Sequence, residues 1–368
     1  MGSAARWWWR GASTDAARRL ETSRASEPGR HKAVGIALSL LVALITATPS
    51  FAQDAAWDKV LAEAKKEGTV VLYTTFLGSP QQLALIKRFE AETGITVQLL
   101  DVRASELGAR IRAEQSSGRY IADLFINSGD AINIDNRAGL IGSLDPVPNM
   151  KNVRADMAGE ITSIKTPAYM VAYGLLINTN LVKGGDVPKS WQDLNDPKWK
   201  GKILSDDVRA PGGGFVFFSA TLGKFGRGFH EALAKQEPVF SRDPGQDQLR
   251  VARGEYPLRM PQVFPTYLLM RGLPVNIVIP QEGSPYIRFD LALAKNAPHP
   301  NAARVMINWY LSADTQVGLG DQALVPAVAG LEARIKPEAR ALAAVPLLGT
   351  TNPATRDAEL DLAKQIYK

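Results

Sequence analysis

The chain of 368 residues contains no cysteine and only three histidines. Without cysteine there is no disulfide, no thiolate metal site, no cysteine nucleophile and no attachment point for a lipid anchor. His31 falls in the N-terminal leader described below, so His230 and His299 alone remain. They leave little material for a Ser-His-Asp triad or a multi-histidine metal site, which weighs against an enzyme. Gly223, Gly226 and Gly228 form neither a phosphate-cradling G-x-x-x-x-G-K-[ST] loop nor a G-x-G-x-x-G dinucleotide turn. Basic runs with interleaved aromatics are missing, as are internal repeats and low-complexity tracts, so no nucleic-acid partner is expected. The pI of about 9.4 does not change this. Seven basic and three acidic residues lie in positions 1–52, and the remainder holds 36 basic and 34 acidic residues, close to neutrality.

One apolar run stands near the start, uncharged from Val34 to Ile45, behind Arg30, His31 and Lys32. It is too short to span a membrane, and Ser50 and Ala52 in Pro49-Ser50-Phe51-Ala52 supply small residues for cleavage. Residues 1–52 therefore read as a signal peptide with an extended n-region that includes Trp7-Trp8-Trp9, a length consistent with a start codon assigned too far upstream. Arg18-Arg19 lies too far before the apolar run to make a strong twin-arginine signal. A secreted, cysteine-free chain points to the periplasm.

Beyond residue 53 the pattern alternates between two periods. Trp57, Val60, Leu61 and Ala64 predict a helix over 55–66, and Gly68 ends it. Thr69–Tyr73 reads as a strand, Pro80 opens a helix to about Glu92, and 95–101 reads as a second strand. A helix over 104–117 and a strand over 122–127 follow. This alternation predicts an α/β domain with a mainly parallel sheet, whose ligands sit beyond the carboxyl ends of strands. Thr74-Thr75 and Asn127-Ser128-Gly129-Asp130 leave strands at equivalent positions, so Thr74, Thr75, Asn127, Ser128 and Asp130 are candidate ligand residues; ordinary capped turns would look the same. Further on, 169–178 is a long β-prone run, 215–228 and 230–234 are helical in character, and 246–270 is helix-like though cut by Pro257, Pro261 and Pro265. Strands are expected at 275–279 and 288–293, and a helix at 301–312 with Val305, Met306 and Trp309 inward.

The stretch Val187 to Phe215 carries the densest signal: V-P-K-S-W-Q-D-L-N-D-P-K-W-K-G-K-I-L-S-D-D-V-R-A-P-G-G-G-F. Ser190 with Asp193 forms a plausible capping box for a short helix, which Asn195-Asp196-Pro197 breaks. After Ile203-Leu204, Arg209 precedes Gly212-Gly213-Gly214 just ahead of an apolar helix. Backbone N–H groups at such a helix start, with an arginine beside them, suit a carboxylate, phosphonate or phosphate; a flexible loop with a solvated arginine fits the same residues. Asp206-Asp207 is the only carboxylate pair in a promising loop, and helix capping or solvent exposure explains it without catalysis.

The pattern S-W-x-D-L-x-D-P-K-W-K-G-K resembles the periplasmic substrate-binding proteins of ABC importers, in the branch that includes the ferric-iron binders. The resemblance covers nearly the whole chain after residue 53. It implies a two-lobe, type II periplasmic-binding-protein fold, with ligand captured between lobes joined by hinge strands. The first lobe would take 53–168, the second 169–287, and 288–368 would return to the first lobe and add the C-terminal helices. It further implies a monomer that delivers a small ligand to an inner-membrane permease and makes or breaks no bond. Asn178-Thr179 matches the end of the crossing strand, and Ser312 and Gln316 match the residues after the closing helix.

Ferric binders of that branch use adjacent tyrosines, because phenolate oxygens suit a hard cation. Counting back from Gly272, the pair falls at Val263-Phe264, which cannot ligate a metal, and Tyr267 stands alone. With Arg209, the glycine loop, Gln262 and Arg288, an organic anion is expected instead, since a guanidinium grips carboxylate or phosphonate with two parallel bonds. Arg103 is a weaker candidate. Arg288 could equally form an interlobe salt bridge, and Tyr169 and Tyr173 could line the cleft or pack in the core. No cofactor is expected; ferric iron or an iron chelate is the alternative ligand.

Overall fold

A computed structural model describes residues 49–75, 79–102 and 104–368. The expected leader over 1–52 lies almost wholly outside the described residues, and Arg103 lies outside them as well. Asp54–Lys368 forms one compact unit.

Its first half alternates as expected: helix α1 (Pro49–Glu67), strand β1 (Thr69–Thr74), α2 (Pro80–Thr93), β2 (Thr96–Asp101), α3 (Ala104–Ser116), β3 (Leu124–Ser128) and α4 (Gly129–Arg137). Gly94 ends α2 in a left-handed conformation at φ 73°, which a residue with a Cβ adopts only under strain. The three strands pair in parallel in the order β2-β1-β3. The chain then crosses on β4 (Thr166–Asn178), a strand of 13 residues and nearly all buried. Length and burial on both faces explain its unbroken apolar character, Ala-Tyr-Met-Val-Ala-Tyr-Gly-Leu-Leu-Ile.

The second half holds β5 (Ile203–Asp206), α5 (Gly213–Phe225), α6 (Arg227–Ala234), β6 (Val239–Ser241), α7 (Pro244–Ala252), β7 (Leu258–Val263), the short α8 (Phe264–Leu268) and β8 (Val275–Val278). The capping box forms: the Ser190 hydroxyl accepts from Gln192 N, and Asp193 Oδ2 accepts from Ser190 N at 3.1 Å, at the start of a single 3-10 turn. One expectation fails here. The helix-like reading of 246–270 holds for α7 and the short α8 but not between them, because Leu258–Val263 is a strand inserted between β4 and β5. Leu258, Met260 and Gln262 fit a buried ladder position, and Pro257 and Pro261 exclude a continuous helix.

The return is β9 (Ser284–Leu293), then α9 (Pro300–Tyr310), α10 (Ala313–Gly320), β10 (Val325–Pro326), α11 (Pro337–Ala343), β11 (Leu347–Gly349) and α12 (Arg356–Ile366). Val305, Met306 and Trp309 are buried on α9, as the periodicity predicts. β4 and β9 run antiparallel, and they join the strands of both halves into one curled sheet, β2-β1-β3-β9-β4-β7-β5-β6. This is a mixed α/β, two-lobe arrangement. One apolar core gathers Leu72, Phe89, Ile126, Met170, Met306 and Tyr310, and a separate one gathers Trp191, Ile203, Phe217, Phe218 and Leu258. The last helix departs from the expected return to the first lobe: Ala363 and Tyr367 pack in the second of these cores. The cause is local, since the Tyr367 hydroxyl meets buried His230 Nδ1 at 2.9 Å and the Glu359 carboxylate accepts from the Ser219 hydroxyl.

Two buried polar groups generate predictions. Gln316 has no exposed surface and satisfies all four of its groups: Nε2 donates to Ala168 O and Tyr310 O, and Oε1 accepts from Ala327 N and Val328 N. It ties β4 to the closing helices, so Gln316→Leu should strand those backbone groups and cost about 3 kcal/mol; urea unfolding with a lowered midpoint and an unchanged slope checks it. His230 is held neutral, its pKa lowered by burial from 6.5 to about 3. The unfolded chain takes up this proton first, so the contribution is complete above about pH 6.5 and is lost progressively down to about pH 3. His230→Gln should flatten that limb of a stability-versus-pH curve.

Candidate ligand cleft

Strand direction places the site. In the first half, β3 ends where Ser128 pairs with Phe289 and Phe289 pairs with Tyr169 of β4. In the second half, β7 ends where Val263 pairs with Tyr173 of the same strand. The carboxyl ends of both strand sets therefore face one another across the stretch Tyr169–Tyr173, and loops from both halves line the space between. A cavity of about 600 Å³ lies there, bounded by Asn127–Ala131 of the first half, Pro211, Gly212 and Phe215 of the second, Ile287 and Arg288 of the return strand, and Thr350, Thr351, Pro353 and Arg356. A smaller cavity of about 230 Å³, lined by Tyr173, Asp206, Gly213, Gln262 and Thr266, sits on the second half.

Asn127, Ser128, Asp130, Gly212 and Arg288 thus come together at the larger cavity. Asn127 is buried and its Oδ1 accepts from Ser128 N. The Ser128 hydroxyl caps α4 by accepting from Ala131 N. Asp130 accepts from the Thr351 hydroxyl at 2.7 Å. Gly213 and Gln262 belong to the smaller cavity. Gln262 is fixed in a network: its Oε1 accepts from Arg259 Nη1 and its Nε2 donates to Thr266 and Gln248. Thr74 and Thr75 border neither cavity. Thr74 is fully buried, with an Oγ1 that finds no partner among the described residues.

The charges are distributed differently from the sequence expectation. The start of α5 already holds an anion, because Asp206 Oδ2 accepts from Gly214 N at 2.7 Å. Gly214 must lack a side chain, since a Cβ there would fall 2.5 Å from the Asp206 carbonyl oxygen. Burial raises the Asp206 carboxyl, and the bond from Gly214 N opposes that rise. Arg209 turns away from the cavity: its Nε bonds Asp207 Oδ1 at 2.9 Å and its guanidinium lies 4.6 Å from the Phe240 ring centre. Arg288 lines the cavity with every nitrogen engaged, Nε and Nη2 on Asp290 at 2.6 and 3.0 Å and Nη1 on Glu160 at 2.8 Å. Burial lowers its pKa, but the two carboxylates outweigh that and raise it further. The salt bridge forms within the first half and its return strand, not between lobes, and Arg288 is part of the cavity wall. Arg112 and Arg356 also line the cavity, with Asp135 3.9 Å from Arg112. Burial raises the Asp135 carboxyl, and Arg112 counters it.

Oxygen ligands for a metal are poorly placed. Tyr169 is buried against Phe289, ring centres 5.1 Å apart, and burial pushes its hydroxyl well above the ordinary range. Burial, and then the charge of Asp206, raise Tyr173 likewise. Neither hydroxyl forms a phenolate readily. Tyr267 donates to Asn276 Oδ1 at 3.0 Å, away from both cavities. Among the described residues no three His, Asp or Glu side chains gather as a metal ion would require. Among the described residues no tryptophan borders either cavity: Trp191, Trp199 and Trp309 are buried in the two cores, and Trp57 packs on the first of them.

Residues 78–317 match the family described as bacterial extracellular solute-binding protein. The chain belongs to that family. Its members are solute-binding components of transport systems, and the two-lobe fold agrees with those of ABC importers. The chain is 26% identical over 253 residues to a spermidine/putrescine-binding periplasmic protein of Escherichia coli, covering 62% of this chain and 69% of that one. It is 28% identical over 156 residues to an uncharacterized Haemophilus influenzae protein, and spans only 45% of that protein's length. Among solved structures, iron-bound HitA from Pseudomonas aeruginosa matches with TM-score 0.65 at 22% identity, covering 81% of this chain and 99% of that one. The substrate-binding protein of an ABC transporter from Agrobacterium tumefaciens matches with TM-score 0.67 at 17% identity, covering 82% and 94%.

Sequence reasoning missed Arg112, Asp135, Glu160, Thr351 and Arg356. Arg112 and Asp135 lie on helices where a solvated face looks the same, and Arg356 lies in a C-terminal segment with no strand-end signal. The geometry predicts that Arg209→Ala, which removes a partly exposed pair, costs about 1 kcal/mol or less. Ligand affinity should change less than about twofold, because the side chain does not border the cavity; titration of the variant beside the parent checks it.

Proposed function

We propose that this protein captures a small organic anion, carboxylate- or phosphonate-bearing, by closure of its two lobes, and delivers it as a monomer to an inner-membrane permease. The observation that carries the reading is the lining of the larger cavity, where Arg112, Arg288 and Arg356 are brought from three separate parts of the chain. Asp130, Asp135 and Glu160 share the same walls, so the cavity is suited to an anion that also offers hydroxyl or amine donors. Its size fits a small molecule and exceeds what a bare ion needs. The family supports a periplasmic site of action, and the apolar run before Ser50 supports a leader.

The iron borne by the Pseudomonas protein and the polyamines named for the Escherichia coli relative are less well served here. The expected tyrosine positions hold Val263 and Phe264, and Phe215 is the one aromatic among the described residues that lines the larger cavity. The test is thermal unfolding of the full chain against carboxylates, phosphonates, phosphate esters, polyamines and ferric salts. A ligand at a hundredfold excess over its dissociation constant adds about 2.7 kcal/mol, or roughly 4 °C for a protein of this size. A rise with an anion supports the reading, and a rise with ferric ion or spermidine alone overturns it.

A further inference from the structure

The segment after β11 is the part of the cavity wall that no strand end supplies. β11 lies parallel beside β9, pairing Leu347 with Ser284, and α12 is fixed in the second core through Ala363 and Tyr367. Between these anchors the chain passes over the cavity and presents Thr350, Thr351, Pro353 and Arg356 to it. One hydrogen bond, Thr351 Oγ1 to Asp130 Oδ2 at 2.7 Å, links this strap to the first turn of α4 on the opposite half.

Among the three guanidiniums of the cavity, Arg356 differs in its bonding. Arg288 has all its nitrogens committed to Asp290 and Glu160. Arg112 has Asp135 beside it, at 3.9 Å. Arg356 is half-buried at the first position of α12 and forms no ion pair or side-chain hydrogen bond among the described residues. A half-buried guanidinium keeps its full charge and five donors, and its planar edge accepts a carboxylate or phosphonate through two parallel bonds.

We infer that the C-terminal strap reads the ligand: Arg356 binds its anionic group, and the Thr351–Asp130 bond joins strap and first lobe when the cleft is closed. This rests on the anion reading above and specifies which cation carries it. Arg288 then serves as a neutralised part of the floor, and the specificity of the site is set by a segment outside both strand-end loop sets.

The test uses the full chain with Arg356→Ala, Arg356→Lys and Thr351→Val, titrated calorimetrically with phosphate, methylphosphonate, acetate and succinate. The expected result is that the parent binds at least one probe and that Arg356→Ala weakens that probe roughly 10- to 100-fold, the loss of a charge-assisted pair. Arg356→Lys should recover part of the affinity, since it restores charge without the planar fork, and both should melt with the parent. Thr351→Val should weaken the same probe more modestly. A parent that binds a probe while Arg356→Ala binds it within twofold overturns the strap inference and leaves the anion reading standing. A parent that binds none of these anions overturns both.

Discussion

Asp290 has no exposed surface, and the return strand β9 is locked to the first half of the chain around it. It lies on β9 opposite Asn127 of β3 and Pro167 of β4, so a carboxylate occupies the middle of the sheet at the crossing between lobes. A buried charge of this kind is tolerated only when paired and hydrogen-bonded. Lys165 Nζ at 2.8 Å and the Arg288 fork supply the pairing, and Glu160 completes a set of two cations and two anions. The glycine at the start of α4 belongs to the same arrangement, since a Cβ on Gly129 would fall 2.6 Å from Arg288 Nη2. Through this cluster the floor of the cleft becomes rigid and nearly neutral, and the charge that selects a ligand has to come from its walls.

The walls follow from strand direction. Parallel strands in each half end at the seam on β4, so their loops converge without any long-range sequence signal. The second half offers a helix N-terminus to the cleft, but Asp206 already occupies one of the free N–H groups there, that of Gly214. A helix start is an anion site whichever anion reaches it first, and a carboxylate from the preceding strand is covalently close. The glycines of that loop accommodate the Asp206 backbone and the Tyr173 ring, which a Cβ on Gly213 would approach to 3.0 Å.

The family resemblance sets the architecture and leaves the ligand to side-chain chemistry. Hard-metal binding requires oxygen donors that ionise, and the two tyrosines nearest the seam are buried with raised pKa values. The tryptophans among the described residues pack in or on the apolar cores, Trp191 with its indole N–H on Gly283 O at 3.0 Å. What the cleft retains is a mixture of guanidiniums, carboxylates and hydroxyls.

The sequence by itself determined the elements whose cause is local. The alternation from Thr69 to Ser128, the capping box at Ser190 and Asp193 and the inward face of α9 are each decided within a few residues, by period, cap or turn chemistry. The same local rules misread 258–263, because a short apolar segment becomes helix or strand according to the partner it meets, here β4 and β5. Convergence of the loops at 127–130 and 212 was legible, since parallel strands of an α/β sheet dictate it. Which arginine is free was not. Arg209 and Arg288 stand out in sequence, yet each meets a carboxylate two residues away, Asp207 and Asp290, while Arg356 reaches the cavity on a segment folded back from the chain terminus. Charge is a property of a residue, but an available charge is a property of its neighbours in space, and only the tertiary structure assigns those.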